Sequence, residues 1–257
     1  MKVKDITEVL EQFAPLSIQE GWDNSGLCIG SPEDEVHGVL LGVDCTPELI
    51  DEAVAQGCDL VVTHHPLIFH GLKRIRGGDP VNDAVIRAVR AGVAVYAAHT
   101  TADKVIAGVS GAMARRLGLK DIALMEDEGG YGLGAVGTLP HPMTGEEAVA
   151  YVKEKFGLKS VRASKPVARV EKVAMCGGAG ASEIDAARAT GAQLYISGDI
   201  SYHHFFTPEG FMVMDIGHFE SEVDIVGILF KVIRGKFPTF AVRISDNLGR
   251  SNPVRYY

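Results

Sequence analysis

Apolar residues along this chain come in short blocks separated by polar turn formers. The N-terminal stretch MKVKDITEVLEQF alternates charged and apolar positions and predicts an amphipathic helix. GWDNSGLCIGS follows as a loop rich in turn formers. VHGVLLGVD, Val36 to Asp44, is almost continuously apolar, the pattern of a strand covered on both faces. Thr46 then reads as an N-cap with Pro47 at the first helical position, opening TPELIDEAVAQG. Gly57 closes that helix, and CDLVVTHH is the next strand. VNDAVIRAVRAG and VAVYAAHTTAD repeat the alternation of helix and strand. Such alternation predicts parallel βαβ units.

The pattern changes at EDEGGYGLG, Glu126 to Gly134, a glycine-rich stretch that marks a boundary. GEEAVAYVKEKFG beyond it predicts a helix and VARVEKVAMC a strand. The segment that follows resembles the first half. With Gly191 placed on Gly57, an offset of 134 (191 − 57), Ile184 falls on Ile50, Asp185 on Asp51, Ala187 on Ala53 and Leu194 on Leu60. Each copy reads strand, loop, helix, glycine, strand, then a polar cluster, THH in one and SGD in the other. Small residues shared by any two helix-packing surfaces would give some of these identities, so duplication stays open at this point. Two similar α/β lobes follow in either case, each expected as a central mixed sheet flanked by helices. Residues 1–125 together with 210–257 are expected to form the first lobe, carrying most of the candidate site residues, and 126–209 the second.

Composition narrows the class. The chain of 257 residues is 46% hydrophobic and 23% charged, enough to bury one large core or two smaller ones. A net charge of −8 argues against a general nucleic-acid backbone binder. No apolar run approaches the roughly 20 residues needed to span a bilayer, and the N-terminus carries no signal-peptide pattern. The four cysteines are scattered without a CxxC pair, as expected in a reducing cytoplasm.

The candidate chemistry gathers where apolar strands stop. His64 and His65 follow LVV, His99 and Asp103 follow VAVYAA, Asp199 and His203 follow LYI, and His218 and Glu222 follow FMVMDIG. Strand ends are where α/β folds build sites. HxxxE on a helix puts His218 and Glu222 on one face, one turn apart. An i,i+4 polar pair on a solvated face is the commoner arrangement, but the apolar strand before this one and VDIVGILF after it bury one side of the helix. Adjacent His64 and His65 would point to opposite faces of a regular strand. At an irregular terminus before Pro66 they can diverge less and serve two neighbouring ions, which favours two metals over one. Asp103 would supply a hard oxygen, or else cap the helix that opens at KVIAGVSGAMARRLG. Three imidazoles and two carboxylates suffice for two divalent ions roughly 3.5–4 Å apart. Mixed nitrogen and oxygen donors suit Zn, Mn, Fe or Co better than Ca.

The motifs WDNSGL, THHP, HTTAD, SGDISYHH and GHFESE, taken in order over essentially the whole chain, resemble the NIF3-like dinuclear metal family, whose members are also called GTP cyclohydrolase I type 2 homologues. The absence of a long insert resembles its short form. The resemblance implies metal ligation by His64, His65, Asp103, His218 and Glu222, the same five residues that the strand ends supply. It also implies a toroidal homohexamer with metal sites facing an internal cavity. HTTAD departs from the commoner HTNLD at Thr101 and Ala102, neither of which is a ligand position.

The expected activity is hydrolysis of a small molecule by a metal-activated hydroxide, as GTP-cyclohydrolase-like ring opening or as phosphoester or amide hydrolysis. The alternative is a metal-carrying or regulatory oligomer without catalysis. His99 is the candidate proton shuttle or orienting residue, or else a hydrogen-bonded core histidine, and Asp23, Asn24, Asp199 and His203 are candidate supporting or substrate contacts. Trp22 would line the mouth of the site or pack as a structural aromatic. GGAGAS, Gly177 to Ser182, follows a strand and opens a helix, so its amides could hold a phosphate, although it lacks the P-loop lysine.

Overall fold

In the computed structural model, which describes residues 1–256, the apolar blocks become the strands of two sheets. In chain order the elements are α1 (Val3–Phe13), β1 (Gly26–Ile29), β2 (Gly38–Gly42), α2 (Pro47–Ala55), β3 (Leu60–Thr63), α3 (Pro80–Ala91), β4 (Ala94–Ala97), α4 (Thr100–Asp103) and α5 (Val109–Leu117). They continue with β5 (Lys120–Leu124), β6 (Ala135–Met143), α6 (Gly145–Phe156), β7 (Arg162–Ala163), β8 (Val170–Met175), α7 (Ile184–Ala189) and β9 (Leu194–Ser197). The last are β10 (Met212–Asp215), α8 (His218–Glu222), α9 (Asp224–Lys236) and β11 (Ala241–Ile244). The chain divides into two compact units, one of residues 1–102 with the stretch from Ile225 onward, the other Asp103–Asp224.

The first unit holds a mixed sheet in the order β1-β4-β3-β2-β11, parallel except for β1 at the edge. Its central strands β2, β3 and β4 are buried along their length, as their unbroken apolar runs require. Leu40, Val61 and Val95 pack with Ile50 and Ala53 of α2 and with Ala84 and Val85 of α3. Both helices start at side-chain caps followed by proline: Thr46 Oγ1 accepts from the Leu49 amide at 3.2 Å, and Asp79 Oδ1 from the Asn82 amide at 3.0 Å.

The second unit holds a mixed sheet in the order β5-β6-β8-β9-β10-β7, with β8, β9 and β10 parallel. One buried cluster joins Leu194, Ile196, Met212 and Met214 to Met113 and Leu117 of α5 and Val152 of α6. Tyr195 and Val213 belong to another, with Ala187 of α7.

The internal resemblance extends to strand register. In the first unit Val39, Leu40 and Leu41 stand opposite Leu60, Val61 and Val62. At the same offset, Val173, Ala174 and Met175 stand opposite Leu194, Tyr195 and Ile196. The next parallel strand follows in each case, flanked by an antiparallel edge strand, β1 beside β4 and β7 beside β10. Even the closing bond recurs, Ala98 amide to Thr63 carbonyl and Ile216 amide to Ser197 carbonyl, both at 2.9 Å. Helix-packing coincidence does not specify register, so this match favours duplication of a three-stranded parallel core.

The division between units falls at 102/103 and 224/225 rather than at the sequence-based breaks of 125/126 and 209/210. The reason is strand pairing. β5 pairs with β6, and β10 lies beside β9, so both flanking segments belong to the second sheet. The first lobe therefore does not carry most of the proposed ligands: His64 and His65 stand in the first unit, whereas Asp103, His218 and Glu222 stand in the second. Among the described residues, no helix is long and apolar enough to cross a membrane.

Ile50 is fully buried in α2 and Val54 half-exposed in the same helix. Ile50→Ala should cost about 3 kcal/mol by the cavity it leaves. Val54→Ala should stay within about 0.5 kcal/mol of wild type, as surface substitutions do. Urea denaturation midpoints with unchanged slopes check both.

Candidate metal centre

Two adjacent parallel strands, β3 and β4, end side by side in the first unit, and the histidines follow directly. The strand terminus after β3 is pinched: the amides of both His64 and His65 donate to the carbonyl of Val43, at 3.1 and 3.0 Å. Thr63 Oγ1 spans the same turn, donating to the His65 carbonyl at 2.8 Å. Regular pleating would send the two rings to opposite faces. The pinch instead leaves their centroids 4.9 Å apart. The His99 ring, arriving from β4, stands 5.3 Å from that of His64 and 5.5 Å from that of His65. Each of the three offers a nitrogen within 4.8 Å of the others, a spacing that could hold a metal ion.

Their orientation is set through Nδ1. His64 Nδ1 donates to the Ala98 carbonyl at 2.8 Å, His65 Nδ1 to Asp44 Oδ1 at 2.7 Å and His99 Nδ1 to Asp23 Oδ1 at 2.7 Å. A proton held on Nδ1 leaves Nε2 as the lone-pair nitrogen, the arrangement that metal-binding histidines adopt. Asp23 has no solvent-exposed side-chain surface. Burial pushes its carboxyl pKa up, but hydrogen bonds from His99, Thr100 and Ser25 outweigh burial and hold it well below the ordinary carboxylate range. Asn24 ties the neighbouring loop down through its side-chain amide, which donates to the Ile68 carbonyl at 2.6 Å. Trp22 is exposed, its ring edge-on to that of His99 at 6.1 Å and tilted against that of Phe69 at 5.9 Å.

The second unit builds a matching pair after β10. Gly217 turns the chain with φ of 95°, and α8 starts at His218. One turn on, Glu222 lies buried with Oε2 3.1 Å from His218 Nε2. His218 Nδ1 donates to Asp199 Oδ2 at 2.8 Å, completing the same Nδ1 pattern in a fourth histidine. Asp199 itself sits in the left-handed region (φ 49°), which aspartate tolerates better than most residues. Asp103 ends the four-residue α4 and does not cap α5, which begins at Val109 behind Gly108.

The three glycine amides of GGAGAS are taken up by the protein's own hydroxyls rather than offered to an anion: Gly177 by Ser110, Gly178 by Ser221 and Gly180 by Ser197, at 3.3, 2.9 and 3.0 Å. Its glycines serve close approach instead. A Cβ on Gly178 would lie 2.3 Å from Glu222 Oε1, and its φ of 64° is one that side chains resist. His203 is also placed differently from expectation. Its ring packs against Tyr202 and Phe206 on an exposed surface, without a hydrogen bond to His218 or Asp199 among the described residues.

Asp44 and Ser221 were not among the sequence-based candidates. Asp44 is findable, since it ends the apolar run of β2, and the β2–β3 register continued past Gly42 and Thr63 sets it level with His65. Ser221 donates to the His218 carbonyl at 2.6 Å and accepts from the Gly178 amide, a role that no spacing rule signals. The cysteines stay outside the donor set. Burial raises the Cys28 pKa to about 11 and those of Cys45 and Cys176 further, so all remain thiols.

Two outcomes follow from this geometry. Gly178→Ala should displace Glu222 and lower divalent-metal affinity about tenfold or more without removing a ligand, as loss of supporting contacts does elsewhere; competition with a chromogenic chelator reads it. The Asp23 carboxyl lies lower folded than unfolded. Its contribution is therefore complete above the unfolded value of about 4 and is lost as pH falls through the folded one. Asp23→Asn should flatten the acid limb of stability, seen in urea midpoints taken from neutral pH downward.

A family model described as Duf34/NIF3 (NGG1p interacting factor 3) matches residues 1–249. A Clostridium acetobutylicum protein named GTP cyclohydrolase 1 type 2 homolog is 32% identical, the alignment covering 98% of this chain and 97% of that protein. A Clostridium perfringens protein of the same name is 34% identical over 86% of this chain and 87% of its own length. The crystal structure of a Staphylococcus aureus hypothetical protein matches with a TM-score of 0.92 at 26% identity, covering 100% of this chain and 99% of that one. The chain belongs to the Duf34/NIF3 family.

Proposed function

We propose that this protein is a hydrolase dependent on two divalent ions, with His64, His65, Asp103, His218 and Glu222 as ligands and a small molecule as substrate. One observation carries the reading. Four histidines, each at the end of a sheet strand, present Nε2 because Nδ1 is bound to a carbonyl or carboxylate. Histidines kept only for packing need no such uniform tautomer. The donor set of imidazole nitrogen and carboxylate oxygen, without thiolate, fits Zn, Mn, Fe or Co.

Such ions, when bound, supply Lewis acidity, polarising a carbonyl, imine or phosphoryl oxygen of the substrate and acidifying water. The chain's residues do the rest. Asp44 and Asp199 hold His65 and His218 in the ligating orientation. Asp23 does the same for His99, which is mostly buried but still reaches solvent, and the pair forms an Asp–His arrangement suited to moving a proton at His99 Nε2. The relatives named as GTP cyclohydrolase homologues support a nitrogen-heterocycle ring opening within this class, and a homo-oligomer is part of the same proposal.

Elemental analysis of the purified, remetallated chain beside His65→Ala tests the reading. About two divalent ions per chain, with clear loss in the variant, are expected from the donor count. Absence of metal from both would overturn it. With metal loaded, Glu222→Gln and His99→Gln should each lower turnover by about a hundredfold or more; metal binding without turnover on a broad substrate panel would leave a carrier instead.

A further inference from the structure

A cavity of about 380 Å³ stands in the first unit, at the C-terminal ends of β2 and β11. The two strands are parallel neighbours, so their C-terminal ends open at the same edge, where the chain runs on into α2 after β2 and into residues 245–251 after β11. The carboxyl ends of parallel strands are the preferred ligand position of open α/β sheets. The volume lies within the range of small-molecule clefts, about 300–1,000 Å³.

The wall is built. Glu52 clamps the chain after β11, accepting from Ser245 Oγ at 2.7 Å, the Asp246 amide at 2.7 Å and Asn247 Nδ2 at 3.1 Å. That carboxylate is thereby spent. The other charged groups on the lining are Asp44, Glu48 and Arg250, with Leu49 and Leu248 as apolar surface. Arg250 Nη2 donates to Asn247 Oδ1 at 2.6 Å, and the remaining guanidinium N–H groups meet no carboxylate among the described residues. A wholly anionic guest would meet the two carboxylates and a wholly cationic one the guanidinium. A neutral apolar guest would strip water from all three. The complement is a zwitterion with an apolar body.

The geometry points to a binding site for an aliphatic α-amino acid, its ammonium on Asp44 and Glu48 and its carboxylate on Arg250. Asp44 gives this site a reach, because its Oδ1 also accepts from His65 Nδ1. An ammonium drawing on that carboxylate weakens its hold on His65, so guest and metal oppose one another, reciprocally. This coupling, unlike the binding itself, rests on the metal reading above.

Calorimetry with L-leucine, N-acetyl-L-leucine and L-leucinamide on the metal-free full-length chain tests the site first. L-leucine should bind, and each analogue lacking one charge should bind about tenfold weaker or less, as expected for loss of a charge-assisted hydrogen bond. Glu48→Gln and Arg250→Gln should weaken L-leucine similarly, with circular dichroism confirming that both variants fold. Absence of binding by L-leucine, L-valine and L-methionine at millimolar concentration would overturn the site, as would analogues or variants equal to the reference. On the zinc-loaded chain, saturating L-leucine should weaken zinc affinity severalfold; an unchanged value overturns the coupling alone, and a chain that binds leucine but not zinc overturns the metal reading alone.

Discussion

Two amides sharing one carbonyl set the terms for the first unit's site. Because Val43 accepts from both His64 and His65, the strand cannot continue its pleat, and two rings that alternation would separate end up as neighbours. The carbonyl is available because β2 and β3 are parallel and in register to Thr63, so β2 runs one step past its last paired residue. A register slip by one residue would exchange the faces of the entire strand and remove the arrangement. The apolar packing of β2 and β3 thus has a chemical consequence: it holds the one hydrogen-bond acceptor that gathers the imidazoles.

Orientation is then maintained by acceptors of differing cost. His64, fully buried, uses a main-chain carbonyl, which brings no charge into the interior. His65, His99 and His218 retain some exposure and use aspartates. Asp23, the most enclosed of these, has four further hydrogen-bond donors, from Asn24, Ser25 and Thr100, besides the imidazole. A buried carboxylate is sustainable on those terms, since each charge-assisted bond offsets part of the desolvation.

Much of this was legible in the sequence because strand ends are marked by where apolar runs stop. His64, His65, His99, His218 and Glu222 all carry that mark, and Thr46 and Pro47 announce α2. Three things were not legible. Unit boundaries depend on which strand pairs with which, and β5 carries no sign that it joins β6. The fate of GGAGAS depends on Ser110, Ser197 and Ser221, which come from three distant segments and take up the amides that an anion would need. Asp44 looked like the ordinary polar end of a strand, and only the position of the His65 ring gives it a task.

Trp22 is the chain's single tryptophan, and it stands exposed with its indole 6.1 Å from the His99 ring. Tryptophan emission from this protein is consequently local rather than averaged. It reports one side chain, beside one imidazole cluster, in a medium that changes whenever something displaces water there. Open-shell ions quench such a fluorophore at close range where closed-shell ions do not, so with the proposed ions in place the emission would distinguish cobalt from zinc in the unmodified chain. The protein carries its own optical probe where its chemistry is proposed to occur.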